Sequence, residues 1–298
     1  MSNQREYFGG FFWVAVVSFI VPFFVGWKAF DKLHAPTKPT PQVDASGVDH
    51  AVWDYLLKTY VSNGLVDYDG MKKDYLFREY LRELGQCNPD ALKTDDEKLA
   101  LLCNAYNAFV INGVISHKVT DTVNSVTVDE KPFFKIKEHI FAGETYTLDY
   151  LEKDMNLKVF GDPRVHVAVV CAARSCPGLR SEAYVGNRIQ NQLEDQSRQF
   201  ANNPKYVMYD KESEELKVNR ILKWYPKDFD QRYPNGGYLQ WINEMTDDPV
   251  IKEMTEKAIN GDVQVGYFDY EWKLNSQAEP GESAAAGKHF GSGSIPDE

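Results

Sequence analysis

An uncharged run of 21 residues, Tyr7 to Trp27, constrains this chain more than any other feature of its sequence. At a rise of about 1.5 Å per residue, a helix of this length spans roughly 30 Å, the thickness of the hydrocarbon core of a bilayer. The aromatic residues at its two ends are of the type that favours the membrane–water interface. We therefore predict an uncleaved single-pass signal anchor over residues 1–30, with the lipid bilayer as the partner of residues 7–27.

A cleavable signal peptide is the alternative interpretation of the same run. The apolar region of a signal peptide is usually shorter, about 7–15 residues, and a small-x-small cleavage site follows it. The segment "KAFDKLHAP" after Trp27 is a poor cleavage site. One positive residue, Arg5, precedes the run, while Lys28, Lys32 and Lys38 follow it. This Lys/Arg count places the rest of the chain on the cytoplasmic side.

The rest of the chain divides into three parts by composition. Residues 31–47 contain three prolines and predict an extended tether. Residues 276–298 are small and polar and predict a disordered tail. The intervening residues, 48–275, show no internal repeat and predict a single domain. Hydrophobic residues make up 43% of the chain and aromatic residues 13%, which is typical of a chain that folds.

The apolar spacing within the domain predicts several helices and few strands. The best marked helix begins after Thr94, where Glu97 completes a capping box. A hairpin turning at Gly143–Glu144 leads into a helix near Thr147, and Val165–Cys171 is predicted as a strand. Helices dominate early and the strands are mostly joined by hairpins. The fold class is therefore predicted as α+β, a helix-rich domain on a small, mostly antiparallel sheet.

The charge and the motifs exclude several classes of partner. The net charge of −11 argues against nucleic acid as a partner, because nucleic-acid binders concentrate positive charge. Neither a glycine-rich phosphate loop nor a dinucleotide fingerprint is found, so no cofactor is predicted. One histidine and two cysteines near residue 170 lack a fourth ligand with the spacing of a zinc site, so no metal is predicted.

The segment "DPRVHVAVVCAARSCPGLR", residues 162–180, carries the strongest chemical signal. In a regular strand Arg164 and His166 share one face, with Glu152 arriving from the preceding helix, and Cys171 lies on the other face. Cys171 is then a nucleophile activated by His166 or by nearby arginines, one half of a redox pair with Cys176, or an inert core residue. The sequence leaves these three alternatives open.

Two further blocks have both a structural and a functional interpretation. Asn104 and Asn107 share one face of the helix predicted to begin after Thr94. They either pin a neighbouring segment through hydrogen bonds, or one of them orients a catalytic group. The aromatic residues are predicted to pack in the core or to line a groove. They are Trp224, Tyr225, Phe229, Tyr270 and Trp272.

Five blocks occur in an order that resembles the domain of unknown function 547 family. They are "NAYNAFVI" (104–111), "YTLDYLE" (146–152), "DPRVHVAVVCAARSCPGLR" (162–180), "ILKWYPKDF" (221–229) and "YEWKLN" (270–275). The resemblance spans about residues 50–275. It implies a widespread domain without an established activity, often exported or membrane-tethered in bacteria and fused in some eukaryotes to thiol-redox domains. The family thus favours an exported domain, against the Lys/Arg count.

Two positions depart from the pattern of the family. Relatives often carry a bulky apolar residue where Cys103 stands, and often a histidine where Lys153 stands. If that histidine is catalytic in relatives, this chain lacks it.

From these features we expect a cysteine-dependent hydrolase or acyl-transfer enzyme acting on peptide or amide substrates. Cys171 is the expected nucleophile, His166 the general base, and Glu152 or Asn104 the orienting group. A binding role is expected for a second set of residues. That set is Arg164, Asn107, Tyr106, Cys176 and Arg180. Two alternatives stay open: a non-catalytic scaffold or binding subunit of a membrane assembly with an unknown protein or peptide partner, and a thiol-disulfide redox protein.

Overall fold

The structure is a computed structural model that describes residues 40–278. The predicted anchor, residues 1–30, lies outside the described residues. The helices are α1 His50–Tyr60, α2 Tyr68–Lys73, α3 Tyr75–Gln86, α4 Asp95–Ser116, α5 Leu148–Tyr150, α6 Lys158–Phe160, α7 Val165–Ala168, α8 Ile189–Ala201, α9 Ile221–Trp224, α10 Pro226–Asp230, α11 Gly237–Met245 and α12 Pro249–Ile259. A π-helical stretch, Leu151–Leu157, joins α5 to α6.

Within the described residues the strands are short and form four small sheets. They are β1 Val61–Ser62, β2 Leu65–Val66, β3 Thr127–Val128, β4 Lys131–Pro132, β5 His139–Phe141, β6 Glu144–Tyr146, β7 Val207–Asp210, β8 Glu215–Val218 and β9 Gln264–Tyr267. Three sheets are antiparallel hairpins, while the fourth has the order β7-β8-β9 with a parallel β8–β9 pair. The predicted helix-rich α+β class with mostly antiparallel pairing is confirmed.

Helix α4 forms the centre of the larger hydrophobic core. Thr94 caps its first turn in the predicted box, because its hydroxyl accepts from the amide of Glu97 and the Glu97 carboxylate accepts from the amide of Thr94. Among residues 40–278 it is the one helix long and apolar enough to cross a bilayer, yet 83% of its most apolar stretch is buried in the domain. Its composition therefore reflects burial against the other helices.

The predicted strand over Val165–Cys171 is wrong. Residues 165–168 form the short helix α7, and only the residues after Ala168 are extended. The Asp162 carboxylate accepts from the amide of Arg164, and the Asp162 carbonyl accepts from the amide of Val165, which starts this turn. Valine favours strands only where a neighbouring strand pairs with it, and here the segment packs between helices instead. The alternation argument that separated His166 from Cys171 therefore does not apply.

The folded chain extends slightly beyond the predicted boundaries of 48 and 275. Val43 pairs with Asp49 in an isolated bridge, within the segment predicted as a tether. Gln277 donates its amide to the carbonyl of Val66, within the segment predicted as a disordered tail. Tail residues 279–298 lie outside the described residues. The β5–β6 hairpin turns at Ala142–Gly143, one residue earlier than predicted, and Thr147 caps the helix that follows.

Candidate functional site

The Asn107 side chain fixes the segment that leads to Cys171. Its amide nitrogen donates to the carbonyl of Ala168 at 3.0 Å, and its amide oxygen accepts from the backbone N–H of Val170 at 3.0 Å. Asn107 is buried, so these bonds replace those that water would otherwise supply. Helix α4 thereby sets the position of the backbone just before Cys171.

The Asn104 side chain performs the same task one turn earlier in α4. Its oxygen accepts from the amide of Tyr184 at 2.9 Å, and its nitrogen donates to the carbonyl of Tyr184 at 2.8 Å. The same nitrogen lies 3.2 Å from Nδ1 of His50. Both asparagines bind backbone, as the structural interpretation predicted. Asn104 contacts neither Cys171 nor His166 through these bonds.

Residues 171–176, which we call the cysteine loop, are held on their other side by the C-terminal segment. The amide of Arg174 donates to the carbonyl of Lys273 at 2.7 Å, and the amide of Asn275 donates to the carbonyl of Ala172 at 2.9 Å. Ala172 adopts a left-handed conformation with φ of 62°. A non-glycine residue in this region costs about 1–2 kcal/mol, which the surrounding bonds must offset.

The two thiols of the cysteine loop lie against each other. The backbone N–H of Cys171 donates to Sγ of Cys176 at 3.2 Å, and the side chains also interact. Cys171 is partly exposed, whereas Cys176 is only 3% exposed. Both cysteines are unoxidised. The loop therefore pairs one partly exposed cysteine with one buried cysteine.

The two thiols have opposite pKa shifts. A hydrogen bond from Cys176, helped by another from the Tyr270 hydroxyl, lowers the pKa of the Cys171 thiol below its ordinary value. Burial raises the pKa of Cys176 well above its ordinary value. Cys171 is thus the thiol that ionises first, which is the property a nucleophilic cysteine needs. The expected source of the low pKa, His166 or a nearby arginine, is replaced by Cys176 and Tyr270.

Tyr270 joins the thiol to an aromatic cluster. Its hydroxyl oxygen lies 3.1 Å from Sγ of Cys171. Its ring centroid lies 4.8 Å from that of Trp224 and 4.8 Å from that of Trp272. Trp224 is 41% exposed, so this cluster reaches the surface beside the thiol. The predicted aromatic wall is therefore present at the site and supplies a polar contact to sulfur.

A largely buried carboxyl, that of Glu152, lies between Tyr106 and His166. The Glu152 carboxylate accepts from the hydroxyl of Tyr106 at 3.0 Å, and its other oxygen lies 3.9 Å from Nδ1 of His166. Burial raises the pKa of Glu152. The negative charge of Glu152 also acts on Cys171, where it opposes ionisation of the thiol. The predicted meeting of Glu152 with His166 is present.

His166 has a carboxylate partner that the sequence analysis did not identify. Its Nε2 lies 2.8 Å from the carboxylate of Asp228, and its ring stacks on that of Tyr225 with centroids 4.3 Å apart. Its Nδ1 is buried without a hydrogen-bond partner among the described residues. Both Asp228 and Tyr225 belong to the block "ILKWYPKDF". The carboxylate of Asp228 within this aromatic block is the sequence feature that could have indicated a partner for His166.

Two arginines expected at the site are engaged elsewhere. Arg164 pairs with the Asp162 carboxylate and also bonds Gln190, so it does not join Glu152 and His166. Arg180 pairs with Glu182 and Asp195. These contacts hold both arginines in ion pairs, and their expected binding role stays a prediction. Within residues 40–278 no three His, Cys, Asp or Glu side chains converge as metal ligands.

Fold and site together define a helix-rich α+β domain in which a core helix positions a loop of two paired thiols. Residues 89–201 match the model of a family described as a protein of unknown function, DUF547. The match shows the resemblance over this segment, which contains α4, the cysteine loop and α8. Comparison with curated proteins gives no match, and comparison with solved structures gives none either.

Proposed function

We propose that this domain is a thiol-disulfide oxidoreductase acting on peptide or protein disulfides, with Cys171 as the nucleophile and Cys176 as the resolving thiol. The observation that carries the proposal is the contact between one partly exposed thiol of lowered pKa and one buried thiol of raised pKa. This asymmetry suits sequential exchange, because the Cys171 thiolate attacks the substrate first and the Cys176 thiol reacts only in the second step.

The exchange has two balanced steps. The Cys171 thiolate attacks one sulfur of a substrate disulfide, forming a mixed disulfide and releasing one substrate thiolate, which takes up the proton lost by Cys171. The Cys176 sulfur then attacks Sγ of Cys171, and the second substrate thiolate leaves with the proton of Cys176. Two electrons pass to the substrate, which ends as two thiols, while the domain ends with a Cys171–Cys176 disulfide.

Three side chains support the first step. The Tyr270 hydroxyl donates to the Cys171 sulfur when it is a thiolate. Trp224 and Trp272 beside it offer an apolar contact for the substrate near the disulfide. By donating to the thiolate, Tyr270 lowers the pKa of Cys171 and increases the fraction of Cys171 that is ionised and able to attack.

The test is trapping of the mixed disulfide with a peptide disulfide as the probe. Wild type should pass through the mixed disulfide and accumulate the Cys171–Cys176 disulfide, detected by mass spectrometry. Cys176→Ser should accumulate the mixed disulfide on Cys171, and Cys171→Ser should form none. Cys87→Ser, in which another buried thiol is removed, is the matched control and should behave as wild type. Equal behaviour of all four proteins would contradict the proposal and favour a non-catalytic scaffold or binding subunit.

A second candidate, a cysteine-dependent hydrolase or acyl-transfer enzyme, is favoured by the His166–Asp228 pair. A buried histidine held by a carboxylate at 2.8 Å resembles the base of a catalytic triad. In that mechanism Cys176 has no chemical role. Acylation of Cys171 by an activated ester probe that persists in Cys176→Ser and is lost in His166→Gln would favour this candidate over the redox one.

We also propose that residues 7–27 anchor the domain to a membrane. The proposal is supported by the length and the uncharged composition of this run. The expected result is that the full chain stays with membranes after carbonate washing, whereas a variant with Val17→Arg and Phe19→Arg does not. Protease accessibility of the domain in sealed vesicles decides between the exported and the cytoplasmic orientation.

A further inference from the structure

A second site is lined in part by Arg174 of the cysteine loop. It is a cavity of about 190 Å³ beneath the C-terminal end of α4. Four cationic side chains line it: Lys72, Lys118, Arg174 and Lys273. A concentration of positive charge is notable in a chain with a net charge of −11.

None of these four cations has an ion-pair partner within the described part of the chain. Arg174 and Lys273 are half-buried, and Nε of Arg174 is buried without a hydrogen-bond partner. A buried guanidinium nitrogen without an acceptor costs free energy unless a ligand supplies one. An anionic ligand in the cavity would supply the acceptor that Nε of Arg174 lacks.

The cations are not needed to cap helix α4. The amides of His117, Lys118 and Val119 already donate to carbonyls in its last turn. The two carboxylates at the cavity, those of Asp67 and Asp69, do not neutralise the cations through ion pairs. Asp67 instead caps α2 by accepting from the amide of Gly70 at 2.8 Å.

We propose that this cavity binds a free phosphate or a small phosphate monoester. A guanidinium fork binds a phosphate through two parallel hydrogen bonds, and the lysines add point charges around it. The cavity is smaller than the roughly 300–1,000 Å³ of pockets for drug-sized ligands, so it suits a compact anion. The site is independent of the thiol chemistry, since its ligand would contact Arg174 and not Cys171.

The test is calorimetric titration of the full chain with inorganic phosphate. Saturable binding is expected, and Arg174→Gln should weaken the Kd at least about tenfold, as expected for loss of a charge-assisted bidentate contact. Lys273→Gln should weaken it severalfold and serves as the second variant if Arg174→Gln does not fold. The matched controls Arg78→Gln and Lys211→Gln remove exposed charges outside the cavity and should leave the Kd unchanged.

Three outcomes would overturn the proposal. The first is absence of saturable phosphate binding by wild type. The second is an equal loss of affinity in Arg174→Gln and Arg78→Gln, which would indicate a general charge effect. The third is binding to phosphatidic acid vesicles without binding to inorganic phosphate, which would assign the cations to a lipid headgroup. None of these three results changes what is expected when the mixed disulfide is trapped at Cys171. The phosphate-binding proposal and the thiol-disulfide proposal can therefore be contradicted independently.

Discussion

The asparagine pair of α4 and the cysteine pair of the loop beside it are both polar pairs at motif positions, yet their environments differ. Asn104 and Asn107 each bind backbone through both amide atoms. Cys171 and Cys176 instead contact each other, and their thiol pKa values move in opposite directions. A polar side chain whose bonding capacity is filled by backbone stabilises a fold, whereas a titratable group with a perturbed pKa is available for chemistry.

The two pairs are also coupled in space. Asn107 holds the backbone of Ala168 and Val170, which immediately precede Cys171. The asparagines therefore position the reactive loop without touching the sulfur. The asparagine pair is therefore expected to contribute to stability and the cysteine pair to reactivity. Substitutions in each pair should change one of these properties more than the other.

The largest effect is expected for Asn107→Ala. The substitution leaves the buried N–H of Val170 without a partner, which costs roughly 1–3 kcal/mol, and it leaves the carbonyl of Ala168 with only a long hydrogen bond, 3.4 Å, from the Tyr184 hydroxyl. The free energy of unfolding should fall by about 2–4 kcal/mol, measured by urea titration of the full chain. Asn112→Ala, on the same helix, is the matched control, because its side chain is half-buried and makes only a long contact with Ser116. Equal effects of the two substitutions would contradict the assignment of Asn107 as the fixing residue.

A smaller, chemical effect is expected for Cys176→Ala. The hydrogen bond from Cys176 is the main cause of the lowered pKa of Cys171, so its loss should raise that pKa. The pH midpoint of Cys171 alkylation by iodoacetamide should move upward, and the rate at neutral pH should fall severalfold. Stability should change less than in Asn107→Ala.

The control for this measurement is Cys87→Ala. Cys87 is a buried thiol outside the cysteine loop, with its pKa raised to about 11 by burial. Its removal should leave the alkylation profile of Cys171 unchanged. A profile of Cys171 that is the same with and without Cys176 would show that the two thiols are not coupled.

The smallest effect is expected for Glu152→Gln, as a change in the pH dependence of stability. Burial raises the pKa of Glu152, so the folded state binds its proton more tightly than the unfolded state does. Stability of the wild type is therefore lost as pH rises from the ordinary pKa of glutamate, about 4.3, to the raised value. The variant lacks this loss, so its advantage over the wild type should grow as pH rises above about 4.3, the ordinary pKa of glutamate. Glu212→Gln, at an exposed turn, should show no such trend.

Elements with local signals were predictable from the sequence. Thr94 and Glu97 form the expected capping box, because both partners lie within one turn of the chain. The hairpin near Gly143 and the helix after Thr147 were found within one residue for the same reason. The strand predicted over Val165–Cys171 failed, because a valine-rich run forms a strand only if a partner strand lies beside it.

Some residues of the candidate site could be predicted from the sequence, but the contacts between them could not. Cys171, Cys176, His166 and Glu152 all lie in motif blocks and do come close to one another or to shared neighbours. Asp228 and Tyr270 follow Cys171 by tens of residues, and no sequence spacing indicates that they reach His166 and the sulfur. Arg164 and Arg180 were assigned to the site, but each forms an ion pair with an acidic residue two positions away in the chain.

The sequence by itself determined where the helices after Thr94 and Thr147 begin and that residues 7–27 are uncharged, because these features depend on neighbours within a few positions. Only the tertiary structure decided which thiol has the lower pKa, which carboxylate holds His166, and that four cations surround one cavity. Those properties arise from burial and from contacts between segments far apart in the chain, such as Cys171 with Tyr270 and Lys72 with Lys273 around one cavity. Burial and long-range contact are products of folding, and no local pattern encodes them.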